Sequence, residues 1–123
     1  MSSLRMIAAA SILALSASAA AQPAAVTIDV RNFAFAPQPI QLVAGKPVTL
    51  MLVNRSGSGH DFTAPAFFAA AQVTAGAAPK GEIDMRGHEA KSITLVPRAG
   101  TYEVHCSHFL HKQLGMVGTI IVR

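Results

Sequence analysis

The sequence has 123 residues but no tryptophan, one tyrosine and one cysteine, and only 13% of its residues are charged. Antibody-type immunoglobulin domains pack a disulfide against a buried tryptophan, so the lack of both argues against that class, and a metal-free immunoglobulin-like sandwich stays open as an alternative. The basic residues are scattered, without a run or interleaved aromatic residues, and we therefore expect no nucleic-acid partner. The formal net charge of +4 is mild and would steer the protein toward an acidic protein surface.

Residues 1–21 have the pattern of a secretory signal peptide. Arg5 supplies a positive charge, residues 6–17 are mostly apolar, and small residues close to Ala21 offer cleavage sites. The apolar stretch is shorter than the about 20 residues that a membrane span requires, so we expect cleavage rather than retention as an anchor. The sequence therefore predicts an exported, periplasmic protein with one mature domain, residues 22–123, and no membrane span after cleavage.

The mature domain is predicted to consist mainly of short strands. An alanine-rich segment, 64–78, differs from the rest, and its Phe67 and Phe68 lie near helical spacing, which predicts a short helix or irregular insert. Seven or eight short strands separated by turn residues predict an all-β Greek-key sandwich. Seven strands are predicted at 26–33, 40–43, 48–54, 81–85, 91–96, 100–106 and 117–122, whereas His60–Thr63 follows a flexible loop, 56–59, and His60 is assigned to a loop.

The single cysteine, Cys106, is the most informative residue of the sequence. Exported proteins normally pair their cysteines, and Cys106 has no partner within the chain. It is therefore a buried small apolar residue, one half of a disulfide between chains, or a metal ligand. The pattern Cys-x4-His-x4-Met, formed with His111 and Met116, places a thiol, an imidazole and a thioether in one predicted loop, which favours the metal.

These residue types indicate copper. Thiolate and thioether ligands favour Cu(I), whereas imidazole suits both oxidation states, and two histidines and one cysteine with a weak axial methionine form the blue-copper ligand set. His60 is the candidate for the second histidine, because a Greek-key sandwich can bring its loop to the same end of the domain. Other interpretations stay open at this point: Met116 suits a core residue, and His111 suits a surface loop.

The sequence resembles the cupredoxin family, which includes plastocyanin, azurin, rusticyanin and auracyanin. The resemblance covers nearly all of residues 22–123 and rests on Asn32-Phe33, on the turn 44–47, on the start of the strand at 100–103 and on residues 115–120. The Cys-x4-His-x4-Met spacing is similar to that of rusticyanin and auracyanin, whereas plastocyanin-type loops have Cys-x2-His-x4-Met. The resemblance implies one copper ion bound by four ligands: His60, Cys106, His111 and Met116.

The resemblance also implies one-electron transfer, with copper alternating between Cu(I) and Cu(II). The partners would be other redox proteins, met through small transient contacts, and we expect a monomer. The surplus histidines His105 and His108 favour an alternative, a module for copper storage, delivery or resistance with copper-handling partners. A catalytic copper needs an open position for substrate, and four protein ligands leave none, so we expect no enzymatic activity.

Several residues near the predicted ligands carry expectations of their own. Asp61 stands where the familiar electron carriers often have Asn or Ser, and we expect it to accept a hydrogen bond from a neighbouring imidazole. His105 should face away from Cys106, because neighbours on a strand point to opposite faces, and His108 should be exposed rather than bound. Three apolar residues of the loop either form a docking patch or pack the loop: Phe109, Leu110 and Leu114.

Overall fold

The computed structural model describes residues 9–14 and 22–123. Most of the predicted signal peptide, 1–21, lies outside the described residues, and its assignment stays a prediction. Within the described residues, no helix combines the length and the apolar character that crossing a membrane would require.

Ten strands and one α-helix make up the folded part of the described chain. The helix, α1, covers Pro65–Ala70, and a 3₁₀ turn follows at Pro79–Gly81. The strands β1 to β10 are, in chain order, Ala24–Arg31, Ala34–Ala36, Ile40–Leu42, Val48–Asn54, His60–Thr63, Gln72–Ala75, Glu82–Met85, Ala90–Val96, Gly100–His105 and Val117–Val122.

The strands form two five-stranded sheets that pack face to face. The first sheet has the order β2-β1-β4-β8-β6, and the second has the order β3-β10-β9-β5-β7. Both sheets are mixed, because β1 runs parallel to β4 and β3 runs parallel to β10, whereas their other pairs are antiparallel. The predicted all-β sandwich with one short helix is thus confirmed.

Three strands were not expected from the sequence: β2, β6 and β5, whose first residue, His60, was assigned to a loop. Strand β2 has three residues and ends directly before a proline, which hides it from pattern analysis. Strand β6 lies in the alanine-rich segment, where alanine has little preference for strands. The helical part of that segment is only α1, which starts with proline in its first turn and buries Phe67 and Phe68.

Alternation with a period of two explains the core. In β4, Val48, Leu50 and Leu52 are buried, whereas the residues between them are partly or fully exposed. The second sheet supplies the facing side chains, and the phenylalanines meet edge to face, with Phe62 5.5 Å from Phe35 between ring centroids. Other fully buried core residues are Ile28, Val30, Ile40, Ile93, Leu95, Val104 and Ile120.

The sheet register brings separate segments to one end of the sandwich. Strands β9 and β10 are antiparallel neighbours, and their first pair, His105 with Val117, closes the loop 106–116. Strand β5 is antiparallel to β9, with Thr63 opposite His105, so His60 at the start of β5 lies level with that loop. The turn after β1 supplies a third segment, which contains Asn32.

Candidate metal centre

Three of the predicted side chains meet at this end of the sandwich. The Sγ atom of Cys106 lies 3.4 Å from Nδ1 of His111 and 3.9 Å from Nδ1 of His60. The two Nδ1 atoms lie 3.1 Å apart. Cys106 and His60 are fully buried, and His111 is partly exposed. The fold therefore directs one sulfur and two ring nitrogens, from segments far apart in sequence, toward a common point.

Met116 is fully buried directly before β10. Its carbonyl oxygen accepts a hydrogen bond from the backbone N–H of Cys106 (3.1 Å), and its own N–H donates to the carbonyl of His111 (2.9 Å). These two bonds hold the backbone of Met116 beside the two other candidate ligands of the loop. Burial suits a core methionine and a ligand equally, so the ligand role of Met116 stays a prediction.

The three donor atoms fit a metal ion. Donors about 2.0 to 2.3 Å from one ion lie about 3.5 to 3.8 Å from each other when arranged in a trigonal plane. The observed separations, 3.1, 3.4 and 3.9 Å, bracket that range. A thiol with two imidazoles suits copper or zinc, whereas Mg²⁺ and Ca²⁺ prefer oxygen ligands.

Burial determines the state of the cysteine. It raises the pKa of the Cys106 thiol, and the backbone N–H groups of Asp61 and His108 offset this only in part. Cys106 is a free, fully buried cysteine, so its sulfur is inaccessible to a second chain, and a disulfide between chains is excluded. A metal would displace the thiol proton, because the thiolate is the ligand form.

The expected acceptor for an imidazole N–H is Asn32 and not Asp61. Nε2 of His60 lies 2.8 Å from Oδ1 of Asn32, on the side of the ring opposite Cys106. The ring nitrogen closest to the Asp61 carboxylate is Nε2 of His108, and at 3.6 Å it is too far for a hydrogen bond. The sequence contained Asn32 as part of the cupredoxin-like pattern, but no local signal tied it to His60.

Asp61 instead connects β5 to the loop 106–116. Its carboxylate is buried and accepts hydrogen bonds from Thr63 Oγ1 (2.6 Å), from the backbone N–H of Ser107 (2.8 Å) and from Ser107 Oγ (2.5 Å). Its own backbone N–H donates to the sulfur of Cys106 (3.4 Å). One residue therefore holds the segment of the first candidate histidine against the segment of the cysteine.

The surplus histidines lie outside the three-donor cluster, as expected. The imidazole of His105 lies 3.5 Å from the carboxylate of Glu103. His108 is exposed, and its ring stacks on His111 with centroids 5.4 Å apart. Ligand atoms of Asp61, Cys106 and His108 also lie within 4.8 Å of one another, so His108 borders the site.

Exposed apolar side chains lie close to His111 in the chain, in its loop and at the start of β10. We call them the apolar rim, and they are Phe109, Leu110, Leu114 and Val117. Phe109 is 87% exposed, Leu114 56% and Leu110 49%, which favours the docking patch over packing of the loop against the domain. The ring of Phe33 contacts His111 in an edge-on arrangement, with centroids 5.0 Å apart.

Comparison with known proteins identifies the family. A model of the cupredoxin-like domain matches residues 4–122. This chain belongs to the cupredoxin-like family. No curated protein matches the sequence closely enough to count as a relative.

Two solved structures have the same fold as this cupredoxin-like chain. Auracyanin B is 23% identical with a TM-score of 0.60, and the match covers 88% of this chain and 95% of auracyanin B. Auracyanin A, a blue copper protein from the green thermophilic photosynthetic bacterium Chloroflexus aurantiacus, is 23% identical with a TM-score of 0.61. That match covers 83% of this chain and 100% of auracyanin A. At this identity the likeness establishes the fold.

Proposed function

We propose that this cupredoxin-like domain binds one copper ion through His60, Cys106, His111 and Met116 and transfers single electrons in the periplasm. The observation that carries the proposal is the buried convergence of one sulfur and two Nδ1 atoms at 3.1 to 3.9 Å. The description of auracyanin A as a blue copper protein supports it. The periplasmic location rests on the signal-peptide pattern of residues 1–21.

Bound copper would supply a centre that gains and loses one electron. The chain's own contribution is to hold the donors still: Cys106 lies directly after β9, His60 starts β5, and both are fully buried. The backbone N–H of Asp61 donates to the cysteine sulfur and restricts its motion. Donors that do not move between oxidation states keep the rearrangement during electron transfer small, and the closed packing excludes water from the sulfur.

Electrons would enter and leave at His111. This histidine alone among the three clustered donors is partly exposed, and the exposed residues of the apolar rim are close to it in the chain. Exposed apolar groups lose little hydration energy when a partner approaches closely, which suits a short-lived contact of small area. We propose other redox proteins as partners. Four protein ligands leave no open position on the metal, so we propose a carrier and not an enzyme.

A second candidate function is copper storage, delivery or resistance. The observation that favours it is His108, which borders the site with Asp61 and Cys106 and is exposed at its mouth. A histidine in that position could receive copper from the buried donors and pass it outward. Rapid loss of copper to a chelator would support this function, whereas an ion that stays bound through repeated oxidation and reduction would support electron transfer.

The test is a titration of the purified protein with Cu(II), followed by visible absorption. We expect an intense thiolate-to-copper band that saturates at one equivalent and is absent in Cys106→Ser. Met116→Leu should keep a band but change its energy and the reduction potential. The control is Met51→Leu, because Met51 lies in β4 of the other sheet, away from the proposed ligands. A colourless protein at one equivalent, or a band that survives in Cys106→Ser, would refute the proposal.

A further inference from the structure

We infer that Asn32 is a positioning residue that selects which nitrogen of His60 faces the metal. The contact that carries the inference is the 2.8 Å hydrogen bond between Nε2 of His60 and Oδ1 of Asn32. The inference rests on the proposed copper site only where it predicts an effect on metal affinity. The bond itself belongs to the metal-free protein and can be measured there.

The chemistry of the two groups determines where the proton lies. An amide oxygen only accepts hydrogen bonds, so Nε2 of His60 must carry the proton and donate it to Asn32. A neutral imidazole has one N–H, so Nδ1 of His60 then keeps a free lone pair. That atom is the one that lies 3.9 Å from Cys106 Sγ and 3.1 Å from Nδ1 of His111.

The other tautomer would oppose metal binding. With the proton on Nδ1, the N–H of His60 would point into the space between Cys106 and His111, where a metal needs a lone pair. Within residues 9–14 and 22–123, Asn32 is the one hydrogen-bond partner of Nε2. The ring is fully buried, so water cannot replace that acceptor without rearrangement of the surrounding side chains.

Asn32 lies on the surface, so its effect on His60 can be tested without disturbing the hydrophobic core. Asn32 is an exposed residue in the turn between β1 and β2, whereas the ring that it binds is fully buried. The next residue, Phe33, faces His60 and His111 edge-on, with centroids 6.3 and 5.0 Å away. The turn thus provides a third wall of the site, and replacing the exposed amide should leave the sandwich intact.

The experiment compares the parent with Asn32→Leu, which removes the acceptor, and Asn32→Asp, which keeps it. Nitrogen NMR of the imidazoles in the metal-free protein should show His60 protonated on Nε2 in the parent and in N32D. In N32L that signal should give way to a mixture or to Nδ1 protonation. Competition with a Cu(I) chelator should show about 10- to 100-fold weaker binding for N32L, and binding close to that of the parent for N32D.

Two results would overturn the inference. One is a parent protein whose metal-free His60 carries its proton on Nδ1. The other is an N32L variant that keeps both the Nε2 proton and the affinity of the parent. If the tautomer changes as expected but neither protein binds copper, the positioning of His60 stands and the copper proposal alone fails. Asn32→Met removes the same acceptor with a side chain long enough to cover Nε2 and serves in place of N32L if leucine disturbs the fold.

Discussion

His60 and His111 direct the same ring nitrogen toward Cys106, but the chain holds them in opposite ways. His60 is fully buried at the start of β5, a strand that pairs with β7 on one side and β9 on the other. His111 is partly exposed in a loop of turns. We call β5 with Asn32 the strand half of the site and residues 107–116 the loop half. The strand half is buried and fixes the position of one donor nitrogen, whereas the loop half presents the other histidine at the surface, where a partner can reach it.

The two halves also differ in the bonds that stabilise them. In the strand half, the buried Asp61 accepts one hydrogen bond from Thr63 of the same strand and two from Ser107, the first residue of the loop half. The loop half is held by turn hydrogen bonds, such as that from the N–H of Leu114 to the carbonyl of Leu110 (3.0 Å). An exposed ion pair, Lys112 Nζ with Glu103 Oε1 at 3.0 Å, links the loop to β9. We therefore expect mutations in the strand half to cost more stability than mutations in the loop half.

The largest expected effect comes from a pair of phenylalanines. Phe62 is fully buried in the strand half, and Phe109 is 87% exposed in the loop half. Phe62→Ala should lower the free energy of unfolding by about 3 to 5 kcal/mol, because it removes contacts and leaves a cavity. Phe109→Ala should change it by less than about 0.5 kcal/mol, as exposed substitutions usually do. Urea unfolding of the metal-free proteins measures both.

Similar costs for the two alanine variants would contradict the division into a strand half and a loop half. For the rate of electron exchange we expect the opposite order, with the larger effect in the Phe109 variant. Phe109→Ala should slow exchange between oxidised and reduced protein, because it removes part of the apolar rim.

The next effect concerns Asp61, which bonds within the strand half and also to the loop half. Asp61→Ala leaves the N–H of Ser107 and the hydroxyl of Thr63 without their acceptor. We expect the free energy of unfolding to fall by about 2 to 3 kcal/mol, since hydrogen bonds to a charged group are stronger than neutral ones. Asp61→Asn is the control, because its amide oxygen can still accept both bonds, and it should cost less than half as much. A loss equal in both variants would show that charge, and not the acceptor, matters.

The smallest effect belongs to the exposed ion pair of the loop half. Lys112 lowers the pKa of Glu103, chiefly through a side-chain hydrogen bond. Because the pKa is lower in the folded protein than in the unfolded chain, the stabilisation is present above the unfolded pKa. It disappears as the pH falls through the folded pKa, which lies below the usual 4.5 of a glutamate.

Glu103→Gln should therefore destabilise the metal-free protein slightly at neutral pH. Below the folded pKa of Glu103 the parent and the variant should unfold at the same temperature. Thermal unfolding across pH 2.5 to 7, a range of about two units on each side of the usual carboxylate pKa, measures the convergence. A difference that stays constant over this range would assign the effect to packing. High salt should reduce the difference at neutral pH.

Much of the fold followed from local patterns. Strand β4 matches its predicted bounds, Val48–Asn54, because its alternation of buried and exposed residues is a property of the segment itself. Strand β6 was missed, because its four residues form a strand only by pairing with β8. The preference of a short alanine-rich segment is too weak to predict a strand without that partner.

For the site, the spacing from Cys106 to Met116 was visible in the sequence, because both residues belong to one loop between two adjacent strands. The contact between His60 and Asn32 was not visible. Those residues are 28 positions apart, and their distance depends on how the turn after β1 reaches across to β5, which belongs to the other sheet. Asp61 shows the same limit: its position next to His60 in the sequence suggested an imidazole partner, but the register placed Ser107 there.

The sequence by itself determined the residue types, the loop spacing and the period-two pattern that makes a sandwich. These are local properties, since hydrophobic alternation and the choice of donor atoms depend on neighbouring residues alone. Only the tertiary structure decided which imidazole nitrogen faces the sulfur, which side chain accepts its proton and which histidine lies at the surface. Those outcomes depend on hydrogen bonds between distant segments, whose geometry is set when the two sheets pack and their registers are fixed.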